Sequence, residues 1–543
     1  MSTRKLNSVR HIWRALCVAI VLMICGCDAK TGGSPEHDHR VDSELLRRGI
    51  DGEPATLDPG QAVDVFSFEV IRDLYEGLVT ESADGGLQPG VAESWTVSPT
   101  GTEYTFQLRH DAKWSNGRSV RAQDFVFAWR RVVDPKRASP VADLLRPIAG
   151  ASEIISGRLP STQLAAYAVH DDLLVVRLVQ PAPYFPQLLT HSATFPVYSE
   201  DAANAHNSRD WVSNGPYVLS SWTPGFNLKL TKNLSYWDRS NVRINAVEYI
   251  PIADLNSAFR QYRAGQLDLT QSVPPSALPL IRKEYPNELL VAPFLGTAYY
   301  ALNMHSSKFA TNIKLRQALA MAIDRPALEL TLLTFEQKSA YGFVPPGTWN
   351  YDPQSWQWKA LPNTARIEEA KSLYALAGYS AKYPLHMRLL FNSNVIIKQM
   401  AIAIASMWRD TLGIETELID EEYRVFLESR KDASRWDVAR LGWTADYNDA
   451  GNFLDIFRRN SPNNDASYEN KDFDALLDRA AAAANPEDRR ILLEQAEKIM
   501  LSDYPVIPIY FYSSKRLIKP YLRGARSNPL NRLYTKHLFI ESN

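Results

Sequence analysis

A mixed α/β fold is predicted by three features of the chain past Glu44. Segments that alternate apolar and polar residues, short unbroken apolar runs, and stretches with helical apolar spacing follow one another to the end. Tyr104-Thr105-Phe106-Gln107-Leu108 has the period of a half-buried strand. Leu173-Leu174-Val175-Val176-Arg177-Leu178-Val179 reads as a buried strand, and His386-Met387-Arg388-Leu389-Leu390-Phe391 as another. Arg366 to Gly378 reads as a helix, with Glu368 and Glu369 near its start and Gly378 as its stop. Ile397, Met400, Ala401, Ile404 and Trp408 fall on one helical face, which Gly413 ends. Ala480 to Met500 holds one or two more helices. There is no internal repeat and no heptad pattern. The 33 prolines are scattered, so they mark turns rather than a Pro-rich linker.

Ahead of the globular part stands a leader. Arg4, Lys5, Arg10 and Arg14 form a basic head, Ala15 to Ile24 an apolar run, and Ile24-Cys25-Gly26-Cys27 its end. This is the layout of a secretory signal over residues 1–26. The run is shorter than the roughly 20 apolar residues of a membrane-crossing helix. The tetrapeptide resembles a bacterial lipobox, in which the last Cys is lipidated. The resemblance implies that Cys27 is the membrane attachment point and that the rest lies on the periplasmic side of a bacterial membrane. An ordinary cleaved signal, or a signal anchor, is the alternative. Asp28 resembles the signal that keeps some enterobacterial lipoproteins on the inner membrane. Residues 27–43 are expected to be a flexible tether, because they are polar and rich in small residues. His37-Asp38-His39 within it reads as solvated residues rather than a metal clamp.

The three cysteines, Cys17, Cys25 and Cys27, all fall in the leader and its end. The mature chain then has no thiol for a disulfide, a Cys nucleophile or a Cys-based metal site. Its stability must come from a large buried core, which a chain of 543 residues can supply through several lobes. Loss of the leader takes four of the 60 basic residues and no acidic ones. The remaining 56 against 61 give a balance of about −5, a mildly acidic surface that argues against a nucleic-acid partner. The 13 Trp, 25 Tyr and 20 Phe fit either core packing or a large cleft lined with rings.

Catalytic signatures are missing where sequence can be checked. There is no Gly-x-x-x-x-Gly-Lys-Ser/Thr phosphate loop, no His-Glu-x-x-His zinc helix and no Gly-x-Ser-x-Gly elbow. Asp446-Tyr447-Asn448-Asp449-Ala450-Gly451 begins like a calcium loop, but Ala450 and Phe457 stand where oxygen ligands are required. No metal and no cofactor is therefore expected.

Several segments together resemble the family 5 extracellular solute-binding proteins, receptors of peptide-importing ATP-binding cassette transporters. They are Thr56-Leu57-Asp58-Pro59 with Asp73-Leu74-Tyr75-Glu76-Gly77-Leu78; the run through Ala92-Glu93-Ser94-Trp95, Tyr104 to Arg109, Asp111 to Gly117 and Ala122 to Trp129; Arg316 to Arg325; and Trp436 to Tyr447. The last is similar to the ligand-binding loop of the oligopeptide-binding subgroup. The resemblance covers essentially the whole mature chain, in order. It implies a two-lobed periplasmic-binding-protein-like α/β fold with an additional inserted subdomain. Lobe I would comprise 44–75, 198–295 and 514–543, the inserted lobe II 76–197, and lobe III 296–513. The ligand cleft would lie between lobes I and III and close about hinges.

A receptor for many peptides must hold what all peptides share: backbone amides, an α-ammonium and an α-carboxylate. Backbone groups are met by adding the ligand as a strand, and the ammonium by a carboxylate in a dry cleft. Asp446 matches the family's N-terminus-binding Asp; its plain alternative is to cap a turn. By the same resemblance Trp443, flanked by Gly442 and Thr444, walls the first pockets. Arg430 and Arg440 would meet a ligand carboxylate, unless they serve as ordinary ion pairs. Tyr423 stands where the subgroup often has Trp, Tyr512 matches a ligand-contacting Tyr, and Val65 a lobe I segment that pairs with ligand backbone. Gly296 and Thr444 stand where relatives can carry a disulfide, and Ile397 where a His can face the C-terminal half of the ligand. The implied partners are an oligopeptide and the importer's permease, with the chain a monomer that is not an enzyme. A receptor for murein peptides, with Arg430 serving a γ-linked acid, is the near alternative. A hydrolase built from a dispersed Ser/His/Asp set is the distant one.

Overall fold

The computed structural model describes residues 45–198, 211–332 and 337–541. The leader, Cys27 and the expected tether with His37-Asp38-His39 lie outside the described residues. Strand β1 (Leu45–Ile50) opens the described chain. A small hairpin of β2 (Val79–Glu81) and β3 (Leu87–Pro89) follows. An antiparallel sheet then forms from β4 (Ala92–Val97), β5 (Glu103–Leu108), β6 (Ala166–His170) and β7 (Leu173–Arg177), in the order β4-β5-β7-β6. Strands β8 (Tyr217–Thr223), β9 (Asn227–Lys232) and β10 (Ala246–Pro251) return to β1. They complete a sheet in the order β1-β10-β9-β8, with β1 parallel to β10. The largest sheet contains β11 (Leu289–Leu302), β12 (His386–Asn392), β13 (Glu415–Glu421), β14 (Val438–Thr444) and β15 (Val506–Leu517), in the order β13-β12-β14-β11-β15.

The sequence patterns explain most of these elements. β5 buries every second residue, as its alternation predicts. β7 differs from expectation. It also buries only alternate residues and ends at Arg177, leaving Val179 exposed, because one face of this antiparallel sheet is open to water. The helix Val395–Leu412 buries Met400, Ala401, Ile404 and Trp408. Asn394 caps its start by accepting from the Ile396 and Ile397 N–H groups, and Gly413 ends it at φ 72°, a left-handed stop that glycine adopts without strain. The helix expected from Arg366 begins three residues earlier, at Asn363, directly after Pro362, which cannot donate an N–H, and ends at Leu376. The span from Ala480 to Met500 takes in the end of one helix, Lys471–Ala482, and most of a second, Pro486–Asp503, capped by the Asn485 side chain.

Two large cores result. The first joins residues of β1 to β10 and takes in Phe106 of β5, Trp114 of the loop after it and Trp129 of the helix Ala122–Val133, so the sheet β4-β5-β7-β6 has no separate core. The second runs from Leu295 to Tyr510 around the five-stranded sheet. Strands β11 and β15 pair along both ends of their length, with a register shift between Pro293 and Thr297. At that shift the Leu295 N–H donates to the Pro529 carbonyl (2.7 Å), while the Leu295 carbonyl accepts from Ala445 N–H (3.0 Å). The ladder is thus exchanged for bonds to the C-terminal segment and to the residue after β14. Among the described residues no helix is long and apolar enough to cross a membrane.

Candidate functional site

β14 positions most of the residues singled out in the sequence. On one side it is fully paired to β11, from Leu302↔Val438 to Gly296↔Thr444. On the other it meets β12 only at Leu389↔Val438 and Leu390↔Ala439. Among the described residues no strand pairs with that edge from Arg440 to Thr444. Five residues at about 3.3 Å each leave about 16 Å of backbone donors and acceptors open to an added strand.

Tyr512 on β15 lies across two glycines of this sheet. A Cβ on Gly296 would come within 2.2 Å of the Tyr512 ring, and one on Gly442 within 2.2 Å of its hydroxyl. Both positions must therefore lack a side chain for the ring to sit where it does. Phe294 stacks on the same ring at 5.6 Å. Gly296 and Thr444 are direct partners across the strands, so the two positions compared for a disulfide do face each other.

The chain turns after Thr444, and Asp446 follows in a clamp. Asn452, on the one-turn helix Gly451–Leu454, accepts from the Trp443 indole N–H (3.1 Å) and from the Asp446 N–H (3.2 Å) through Oδ1. Its amide nitrogen donates a long bond (3.4 Å) to the Asp446 carboxylate. Arg532 donates to the Asp446 carbonyl (2.8 Å), while its other nitrogen reaches the Thr190 hydroxyl (2.6 Å) and Glu81 (3.2 Å). Beneath the loop, Arg489 holds Asp449 in a buried pair (2.7 Å), and Tyr447 stacks on Tyr184 at 5.4 Å. The loop therefore rests on Tyr184 and on the C-terminal segment as well as on its own sheet. Burial pushes the Asp446 carboxyl above its ordinary value, and the Asn452 bond and Arg532 only partly oppose this. Among the described residues no cation lies within ion-pair distance of the Asp446 carboxylate. It is a half-buried acid without a cationic partner among the described residues.

A second incomplete group lies along the same strand. Arg440 donates to the Tyr510 hydroxyl (3.2 Å) and has no carboxylate partner among the described residues. It lines a small pocket with Tyr300, Ile396, Ile397 and Met400. The Tyr300 hydroxyl in that pocket is buried and makes no hydrogen bond. Ile397, where a histidine is absent, gives the pocket an apolar wall beside its cation.

Asp446, Trp443, Gly442 and Tyr512 thus come together, with Arg440 nearby along β14. Thr444 is exposed at the strand end. Arg430 is committed elsewhere: its guanidinium pairs with the buried Asp465 (3.1 Å), the ordinary ion pair weighed above. Tyr423 opens the helix Tyr423–Ser429 and is exposed, within electrostatic reach of Tyr512. Val65 is exposed but is the first residue of the helix Val65–Leu74, capped by Asp64. It offers the free N–H of a first helical turn rather than a strand edge. Sequence reasoning missed Asn452, Arg532 and Tyr300. Asn452 stands inside the run compared with a calcium loop, so its neighbourhood was legible. Arg532, 86 residues from Asp446, gives no local signal.

Comparison with known proteins places the chain among relatives. Residues 86–465 match the family model described as bacterial extracellular solute-binding proteins, family 5 Middle. The chain is 36% identical over 539 residues to the periplasmic oligopeptide-binding protein OppA of Escherichia coli K12, covering 97% of this chain and 98% of that one. The structure of the E. coli murein tripeptide binding protein MppA superposes with a TM-score of 0.80 at 34% identity, over 92% of this chain and 99% of that one. That of Haemophilus influenzae OppA in complex with RPPGFSPFR gives 0.77 at 35%, over 92% and 99%.

Proposed function

Because the chain belongs to the bacterial extracellular solute-binding proteins of family 5, we propose that it captures oligopeptides outside the cytoplasm and delivers them to the permease of an ATP-binding cassette importer. The observation that carries this reading is the Asp446 carboxylate, half-buried and without a cation among the described residues, at the end of the open β14 edge. A peptide laid along Arg440–Thr444 as an added strand satisfies that edge, and its α-ammonium completes Asp446. Trp443 and Tyr512 offer rings to its side chains. Arg440 and the unpartnered Tyr300 hydroxyl suit a carboxylate. The role is binding, with no chemistry and no cofactor.

The lobe boundaries belong to the same proposal. The crossings at 295/296 and 513/514 adjoin the register shift of β11 against β15, where a ladder is weakest and best able to bend. So do a monomeric state, a periplasmic location and a lipid anchor at Cys27. Cys27→Ser should give unlipidated or unprocessed protein; recovery of wild type with a free N-terminus inside the cytoplasm would remove the anchor. Asp28→Ser, followed by membrane fractionation, tests inner-membrane placement. The murein alternative called on Arg430, which Asp465 already holds, so general peptides are favoured.

Native mass spectrometry of the protein purified from its own host tests the function. Bound peptides of mixed sequence are expected, and added labelled peptides should be recovered uncut. A chain that carries no peptide and binds none, or that cleaves what it binds, overturns the reading.

A further inference from the structure

We infer that Asn452 is a positioning residue for ligand capture: its amide sets the Trp443 indole and aims the Asp446 carboxylate at the ligand ammonium. This rests on the reading that Asp446 receives an ammonium. The amide orientation is fixed by its partners. An indole N–H and a backbone N–H, at 3.1 and 3.2 Å, both point at one amide atom, which must therefore be the oxygen. The nitrogen is then forced toward the Asp446 carboxylate, 3.4 Å away. Asn452 is buried, so it has little freedom to turn from this arrangement. A single side chain thereby couples the ring that walls the site to the acid that anchors the ligand.

The consequence is electrostatic. Asp446 is faced by Asn452 from the one-turn helix and by Arg532 from the C-terminal segment, with Glu81 beyond Arg532 offsetting part of its charge. Burial favours the neutral acid, and among the described residues the Asn452 donor is the one direct hydrogen bond to the carboxylate that opposes it. Only the ionised acid attracts an ammonium, so peptide affinity should fall as pH drops through the Asp446 value. Loss of the Asn452 donor should move that fall to higher pH.

The test is calorimetric titration with trialanine from pH 4.5 to 7, where the ends of the peptide keep their charges. Asn452→Leu removes both functions of the amide at similar size. Asn452→Asp keeps the acceptor for Trp443 and Asp446 N–H but sets a second acid against the first. Two carboxyl groups that close cannot both ionise freely. Asn452→Leu should bind roughly tenfold more weakly at pH 7, with its acid limb moved upward. Asn452→Asp should move the limb by about one unit or more. Asp446→Asn should bind weakly with no acid limb. If Asp446→Asn binds weakly while both Asn452 variants keep the wild-type limb, or lose affinity equally at every pH, Asn452 is only structural and the inference fails. If Asp446→Asn binds like wild type, the ammonium reading fails and takes the inference with it.

Discussion

Replacing Asp446 with Asn tests the anchor most directly, because it keeps the shape of the side chain and removes its charge. In the protein the carboxylate has one long amide donor, at 3.4 Å. Arg532, which faces it electrostatically, spends hydrogen bonds on the Asp446 carbonyl, Thr190 and Glu81. A ligand ammonium would therefore be the main compensation for a half-buried charge. Breaking a buried, hydrogen-bonded ion pair by removing one partner costs about 3–5 kcal/mol. Asp446 keeps some contact with solvent, so the lower part of that range, about 3–4 kcal/mol, applies. At about 1.4 kcal/mol per decade, peptide affinity should fall by two to three decades. N-acetylated peptides should bind wild type with a similar loss and lose little more in the variant, since their ammonium is already gone. A calorimetric double cycle with free and acetylated peptides measures the coupling. Equal affinity of the two peptides for wild type would refute the reasoning, because no ammonium would then be held.

Gly442→Ala would force the Tyr512 ring off β14, at about 1–3 kcal/mol of stability. Combined with Tyr512→Ala it should cost less than the sum, and strict additivity in urea unfolding would count against the contact. Burial pushes the Glu497 carboxyl up to about 7 from 4.5, although Phe343 and Val344 N–H (2.6 and 2.9 Å) and the Tyr351 hydroxyl donate to it. The folded state then holds the proton more tightly than the unfolded chain. Stability should decline as pH rises from about 4.5 to 7, by at most about 1.4 kcal/mol per unit, and level off above. Glu497→Gln should flatten that slope; an unchanged slope assigns it to other groups. Small-angle scattering should show compaction on saturation with a tight peptide, and an unchanged radius would argue against closure about β11 and β15.

The sequence by itself determined the elements whose signals are local. Alternation in Tyr104–Leu108 and the apolar face with its Gly413 stop both became what their patterns dictate, because side-chain period and backbone propensity act over a few residues. Resemblance supplied the family and the candidate Asp. The tertiary structure decided what depends on pairing over long separations. It left one edge of β14 open, spent Arg430 on Asp465, and set Val65 in a helix rather than an extended segment. It laid Tyr512 over Gly296 and Gly442, and brought Arg532 to the carbonyl of Asp446. Whether an acid or a guanidinium is already satisfied depends on which distant groups the fold places beside it. That is why Asp446 and Arg440 could be named in advance, while their lack of an opposite charge among the described residues appeared only in three dimensions.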